Sequence, residues 1–127
     1  MKTQTEKIPD AELEIMMVLW NHQTPISTTA IHNLLSNNKE WLLATVTSLL
    51  NRLTKRGFVS SQKEGKTRYY TPLIKKDFYI ACENKSFLEK LNQNSIKNFL
   101  VSLSNSNSLS EKDFDELKQF IKEREGE

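Results

Sequence analysis

Between Ala44 and Arg68 the chain sets short hydroxyl and amide side chains ahead of a run of cations, with almost no acid among them. Thr45, Thr47, Ser48 and Asn51 are small hydrogen-bonding groups, and Arg52, Lys55, Arg56, Lys63, Lys66 and Arg68 are six cations against the single acid Glu64. Groups of the first kind can read donor and acceptor patterns on base edges, and groups of the second can hold phosphates. A helix face made only for water usually mixes both signs in i,i+4 pairs, and this one does not. The chemistry on offer is non-covalent recognition of a polyanion. Catalysis has little to be built from, because there is no paired histidine and carboxylate motif, no phosphate-cradling glycine loop, and only three glycines. An enzyme is therefore not expected, nor is a cofactor.

Those groups need a helix and a hairpin to position them. Val46, Leu49, Leu50 and Leu53 recur at i, i+3, i+4 and i+7, which puts the hydroxyl face opposite an apolar stripe. Gly57 fits the left-handed residue that ends such a helix. Phe58 to Tyr70 then reads as two short strands about Glu64-Gly65, a hairpin signal weaker than Asn-Gly. A helix joined by glycine to a cationic hairpin is the layout of a winged helix-turn-helix, whose recognition helix enters the major groove. The expected fold is mainly α with a small β-hairpin, a winged helix-turn-helix over residues 1–72 followed by a helical dimerisation region over 73–127.

The 127 residues make one domain, or one domain with a small extension, and carry a net charge of only +2. Distribution matters more than the total, because residues 1–72 hold nine basic and six acidic groups while the remainder holds nine and ten. Cys82 is the only cysteine, so neither an internal disulfide nor a cysteine metal site can form in one chain. No stretch reads as a signal peptide or a membrane span, so a soluble cytoplasmic protein without membrane insertion is expected.

Ahead of the hairpin the pattern calls for two helices. Residues 1–8 are polar and expected to fray, and a helix starts near Pro9 with Leu13, Met16, Met17 and Trp20 as its core stripe. Ser27 can cap the second helix, with Ile26 and Ile31 as a hydrophobic staple and Leu34 and Leu35 completing the inner face. His32 points off that stripe, toward solvent or phosphate. Trp41, Leu42 and Leu43 precede the recognition helix, where Trp41 and one leucine are expected to pack and the other leucine to touch a thymine methyl or sugar. After Pro72 the spacing is helical again through Phe87, Leu88 and Leu91, then Phe99, Leu100 and Leu103, with Asn92–Ser95 as either a break or a bend. A Ser/Asn run at 104–108 leads to a capping box at Ser110 and Asp113, and to a helix carrying Phe114, Leu117, Phe120 and Ile121. Three short amphipathic helices outside the winged core cannot all bury their stripes in one chain, so a homodimer is expected, with Phe87, Leu91, Phe99, Leu100, Leu103, Phe114, Leu117 and Ile121 at its interface. A two-fold dimer would read a pseudo-palindromic operator.

The ordered set Ala11-Glu12, Leu19-Trp20, Thr45-Val46, Leu49, Arg52-Leu53, Lys55 to Gly57 and Arg68 to Pro72 resembles the penicillinase-repressor (BlaI/MecI) family of bacterial winged-helix regulators. The resemblance implies a homodimeric repressor on operator DNA, often of β-lactam-resistance genes, released when a membrane metalloprotease sensor triggers cleavage in the C-terminal helices. By the same analogy Thr45, Thr47 and Ser48 reach base edges, Ala44 makes a methyl contact, and Arg52, Lys55, Lys63, Lys66 and Arg68 touch phosphate or the minor groove. The family's Asn-Phe cleavage position is matched here by Ser102-Leu103, a departure, while an Asn98-Phe99 pair stands four residues earlier. The paired tail cysteines of similar copper-sensing repressors are absent. A small-molecule-responsive regulator and a winged-helix protein-interaction module remain the alternatives.

Overall fold

The computed structural model describes residues 6–37 and 40–126, and the chain divides into two compact units, Met1–Glu83 and Asn84–Glu127. Through the first unit run α1 (Asp10–Asn21), β1 (Ile26–Ser27), α2 (Thr28–Leu35), α3 (Leu43–Lys55), β2 (Val59–Glu64) and β3 (Thr67–Pro72). This is the winged helix-turn-helix. Its core is the buried face of each helix, closed by Phe58, Val59 and Tyr70 from the sheet side.

Helix α3 buries Val46, Leu49, Leu50 and Leu53, the stripe read from the sequence. It ends in a Schellman motif, with Phe58 N–H on the Leu53 carbonyl at 3.0 Å and Gly57 N–H on the Thr54 carbonyl at 3.1 Å. Gly57 has φ +82°, so a side chain there would be strained and the hairpin would leave the helix in another direction. Leu53 and Phe58, the positions whose apolar side chains accompany the motif, are both buried in the same core. Strand pairing runs from Val59 opposite Pro72 to Glu64 opposite Thr67, closed by Gly65 and Lys66. Gly65 takes φ +64°, as the first residue of a two-residue Gly-X hairpin loop must.

The sheet has a third strand that the sequence does not announce. Ile26 and Ser27 pair antiparallel with Tyr70 and Tyr69, giving the order β1-β3-β2. Two residues are too few for an alternating pattern to register. Ser27 does double duty, because its hydroxyl also accepts the Ala30 N–H at 3.1 Å and caps α2 as expected.

Helix α1 corrects its expected stripe by about one residue. The buried positions are Glu12, Ile15, Met16 and Leu19, while Met17 is exposed and Leu13 and Trp20 pack at the margin. An acid at the centre of the inner face disguised the pattern. Its carboxylate is held by Arg56 at 3.2 Å, so Arg56, though partly exposed, is engaged by an interior acid and does not stand with the cations with which the sequence groups it.

The expected boundary at Pro72 falls short of the first compact unit, which extends to Glu83. Helix α4 (Lys76–Leu91) is responsible, because Tyr79 is buried against the winged core and its phenol oxygen accepts the Ile8 N–H at 2.8 Å. Trp20 Nε1–H donates to the Ile74 carbonyl at 2.9 Å, and its ring lies 5.8 Å from that of Tyr79. Ile8 is thereby buried where fraying was expected; residues 1–5 of that segment lie outside the described residues. Burial pushes the Tyr79 phenol above its ordinary value of 10.0, the Ile8 hydrogen bond opposes this, and Glu83 and Asp10 add to the rise. The folded state thus prefers the neutral phenol. This contribution is complete below pH 10 and is lost as pH rises through the higher folded value. Tyr79→Phe leaves a buried N–H without an acceptor and should cost about 1–3 kcal/mol at neutral pH. Denaturant melts of both proteins from pH 8 to 11 check this, with the gap between them narrowing on the alkaline side.

In the second unit α4 ends near Leu91, and α5 (Ile96–Asn105) and α6 (Glu111–Glu125) follow. Asn92–Ser95 is a true break, with Gln93 and Asn94 at φ +51° and +62° and Ser95 capping α5. The Ser110–Asp113 capping box has both its bonds, at 3.1 and 2.9 Å. Phe87 and Phe99 meet edge to face at 5.8 Å. No residue of α5 or α6 is buried. No helix among the described residues is long and apolar enough to cross a membrane.

Candidate nucleic-acid interface

The outward face of α3 and the adjoining sheet enclose an open cleft of about 830 Å³. Thr47, Ser48, Arg52 and Lys55 line it from the helix and Arg68 from β3, which brings together residues up to twenty-one positions apart in the sequence. The geometry follows from the Schellman turn, which folds the hairpin back alongside the helix that carries the hydroxyls. Ala44 and Thr45 lie exposed at the leading end of α3, outside the cleft lining, and Lys63 and Lys66 lie exposed near the hairpin tip.

Their hydrogen bonding separates these groups further. Thr47 is half-buried and its hydroxyl donates to the Leu43 carbonyl at 3.0 Å, which leaves its lone pairs and methyl for a ligand. Ser48 is exposed on the same face. Arg68 donates to Ser61 Oγ at 3.0 Å across the hairpin, an arrangement that fixes the guanidinium while leaving most of its donors available. Among the described residues Arg52, Lys55, Lys63, Lys66 and Arg68 form no ion pair with an acid. Five uncompensated cations on a helix and the hairpin beside it make a surface suited to phosphates.

Asn51, which the sequence places on the polar face of the helix without a specific contact, also lines the cleft, as do Thr28 and Ser61, which no sequence pattern singled out. Asn51 follows Thr47 by four positions and Ser48 by three, so helical spacing alone could have included it. Thr28 opens α2, and only the fold brings it there.

Two readings of the approach to α3 are corrected. His32 meets neither solvent nor phosphate as its main partner: its Nε2 lies 2.7 Å from the Trp41 carbonyl and ties α2 to the start of the α3 segment. Of the turn between them, residues 38 and 39 lie outside the described residues. Trp41 packs against the core as expected, but neither leucine joins it, Leu42 being 73% and Leu43 45% exposed.

In the tail, Phe87, Leu91, Phe114 and Ile121 are exposed, while Phe99, Leu100, Leu103 and Leu117 are half-buried. Ser102 and Leu103 lie inside helix α5, Ser102 exposed. Asn98 and Phe99 sit one turn earlier in the same helix.

Comparison with known proteins places this geometry. The chain is 33% identical over 117 residues to the penicillinase repressor of Bacillus licheniformis, covering 92% of this chain and 91% of that protein. It is 23% identical over 124 residues to the methicillin resistance regulatory protein MecI of Staphylococcus aureus, covering 98% of this chain and all of that protein. The solution structure of the DNA binding domain of the repressor BlaI superposes with a TM-score of 0.53 at 39% identity, over 62% of this chain and 94% of that one. The Bacillus licheniformis BlaI monomeric form in complex with the blaP half-operator superposes at 0.51 with 38% identity, over 60% and 92%. The penicillinase repressor family model matches residues 8–123, which takes in both the winged unit and the helical tail. A hydroxyl-faced helix beside a cationic wing, continued by this tail, is the build of a repressor family and not of an enzyme family, and the chain belongs to the penicillinase repressor family.

Proposed function

We propose that this chain is a sequence-specific DNA-binding transcriptional repressor that acts as a homodimer on a pseudo-palindromic operator. The observation that carries the reading is the set of cations Arg52, Lys55, Lys63, Lys66 and Arg68 around the hydroxyl face of α3, none of them paired with an acid among the described residues. Ala44, Thr45, Thr47 and Ser48 face base edges, and the cations hold flanking phosphates, in the usual division between specifying and positioning contacts. The similar BlaI chain solved on a half-operator supports this docking.

A dimer through the second unit is supported by its apolar side chains, of which Leu91 is 70% and Ile121 53% exposed within one chain. Burying them against a second copy would also double the DNA contacts. The names of the relatives point to β-lactam-resistance genes as targets, and a repressor of bacterial genes acts in the cytoplasm. Control by a membrane metalloprotease sensor, ending in cleavage at Ser102-Leu103, is the corresponding mode of release. Since that bond lies within a helix, α5 must open locally before a protease can act on it.

The test is a fluorescence-anisotropy titration of the purified protein against duplex from upstream of its own gene and against scrambled duplex, at two salt concentrations. A tight complex on the upstream duplex, with weaker and steeply salt-dependent binding to the scramble, is the expected result, and sedimentation should show two chains per operator. Failure to bind any duplex at low salt would overturn the repressor reading. A stable monomer at tens of micromolar would overturn the dimer.

A further inference from the structure

Leu42 and Leu43 stand at the leading end of α3 with 73% and 45% of their surface exposed, next to the outward-facing Ala44 and Thr45. The helix has no side-chain cap at its start, a feature it shares with α1, where Pro9 holds the position. Ser27, Ser95 and Ser110 cap α2, α5 and α6, each accepting a backbone N–H, whereas the same position on α3 is Leu42 and makes no side-chain cap bond. Leucine is among the poorest residues at that position and serine among the best, so helix stability does not account for the choice. Core packing does not account for it either, since both side chains lie outside the core.

What the pair does offer is hydrocarbon at the tip of the helix that enters the groove. The hydroxyl of Thr47 already donates inward to the Leu43 carbonyl, and the nearest cations on the helix, Arg52 and Lys55, come two turns or more later. The tip is therefore apolar while the surface behind it is cationic. In the major groove the apolar feature of a base edge is the 5-methyl group of thymine.

We propose that Leu42 and Leu43 are specificity-determining residues that read thymine 5-methyl groups in each operator half-site by apolar contact. This rests on the repressor reading above and deepens it: cations position the helix, hydroxyls read base edges along it, and leucines select thymine at its tip. A cationic surface behind an apolar tip matches a polyanion that presents methyl groups in its groove.

The experiment begins with selection of a preferred duplex by the full-length protein from a random-sequence pool. Each thymine of that duplex is then replaced singly by uracil, which removes the methyl and leaves base pairing unchanged. At one or two thymines per half-site the affinity should fall about three- to fivefold, as loss of one buried methyl contact predicts. The Leu42→Ser, Leu43→Ala double variant should bind the thymine and uracil duplexes equally, and Leu42→Ser alone should melt no lower than the wild type because serine can cap the helix. Wild-type indifference to uracil at every position would overturn the inference and leave the repressor reading standing, as would a Leu42→Ser, Leu43→Ala double variant that kept the full uracil penalty. A pool that yields no preferred sequence would overturn both.

Discussion

A chain carrying Arg52→Ala, Lys55→Ala and Arg68→Ala should keep its fold and lose operator affinity by on the order of a thousandfold at moderate salt, since a charge-assisted hydrogen bond is worth about 1.5–3 kcal/mol. All three side chains line one cleft and none is paired with an acid among the described residues. All are exposed, so their removal leaves no cavity. The slope of log affinity against log salt should flatten by about three per half-site if each cation neutralises one phosphate. Specific and scrambled duplexes should weaken alike, because phosphate contacts carry no sequence. Titrations at four or five salt concentrations, with circular dichroism melts of the same samples, provide the check. An unchanged slope would mean that the helix and wing do not face DNA as described.

The neighbouring arginine should behave in the opposite way. Arg56→Ala is expected to destabilise the first unit by about 2–3 kcal/mol, the low end for breaking a buried pair because water reaches a partly exposed guanidinium. The Glu12 side chain is only 3% exposed and that of Arg56 40%, with the guanidinium 3.2 and 3.3 Å from the two carboxylate oxygens. Removing the cation strands an acid in the core. The melting midpoint should drop by roughly 10–20 °C, while affinity measured well below that midpoint stays near the wild-type value. Glu12→Leu combined with Arg56→Met should recover much of the loss, since an apolar pair of similar volume can replace a buried ion pair at little cost. A double variant as unstable as Arg56→Ala would show that the guanidinium's packing, and not the stranded charge, sets the penalty.

These two arginine sites show what was legible in the sequence and what was not. Helix α3 could be read because all four of its buried residues are apolar and repeat at helical spacing, and Gly57 marks its end. Arg52 could be placed because its neighbours on the outer face are polar. Glu12 could not, since an acid read alone counts as solvent-facing and its partner lies 44 positions away. His32 failed for a similar reason, its partner being a backbone carbonyl that no side-chain pattern records. Strand β1 is too short to have a period, and Tyr79 follows Pro72, where the pattern had already turned to the tail. Local periodicity reveals a face; long-range polar pairs appear only once the fold closes.

Strand order has a last consequence. With β3 in the centre and β1 covering one side of it, β2 is left as an edge whose outer backbone groups have no strand beside them among the described residues. Such an edge can recruit a strand from another copy and seed aggregation. Gln62, Lys63 and Glu64 lie exposed along it, and Gly65 turns the chain away immediately after. Lys63 therefore serves colloidal solubility as well as any phosphate, and selection for tighter DNA binding cannot trade it for an apolar residue without making the wing adhesive.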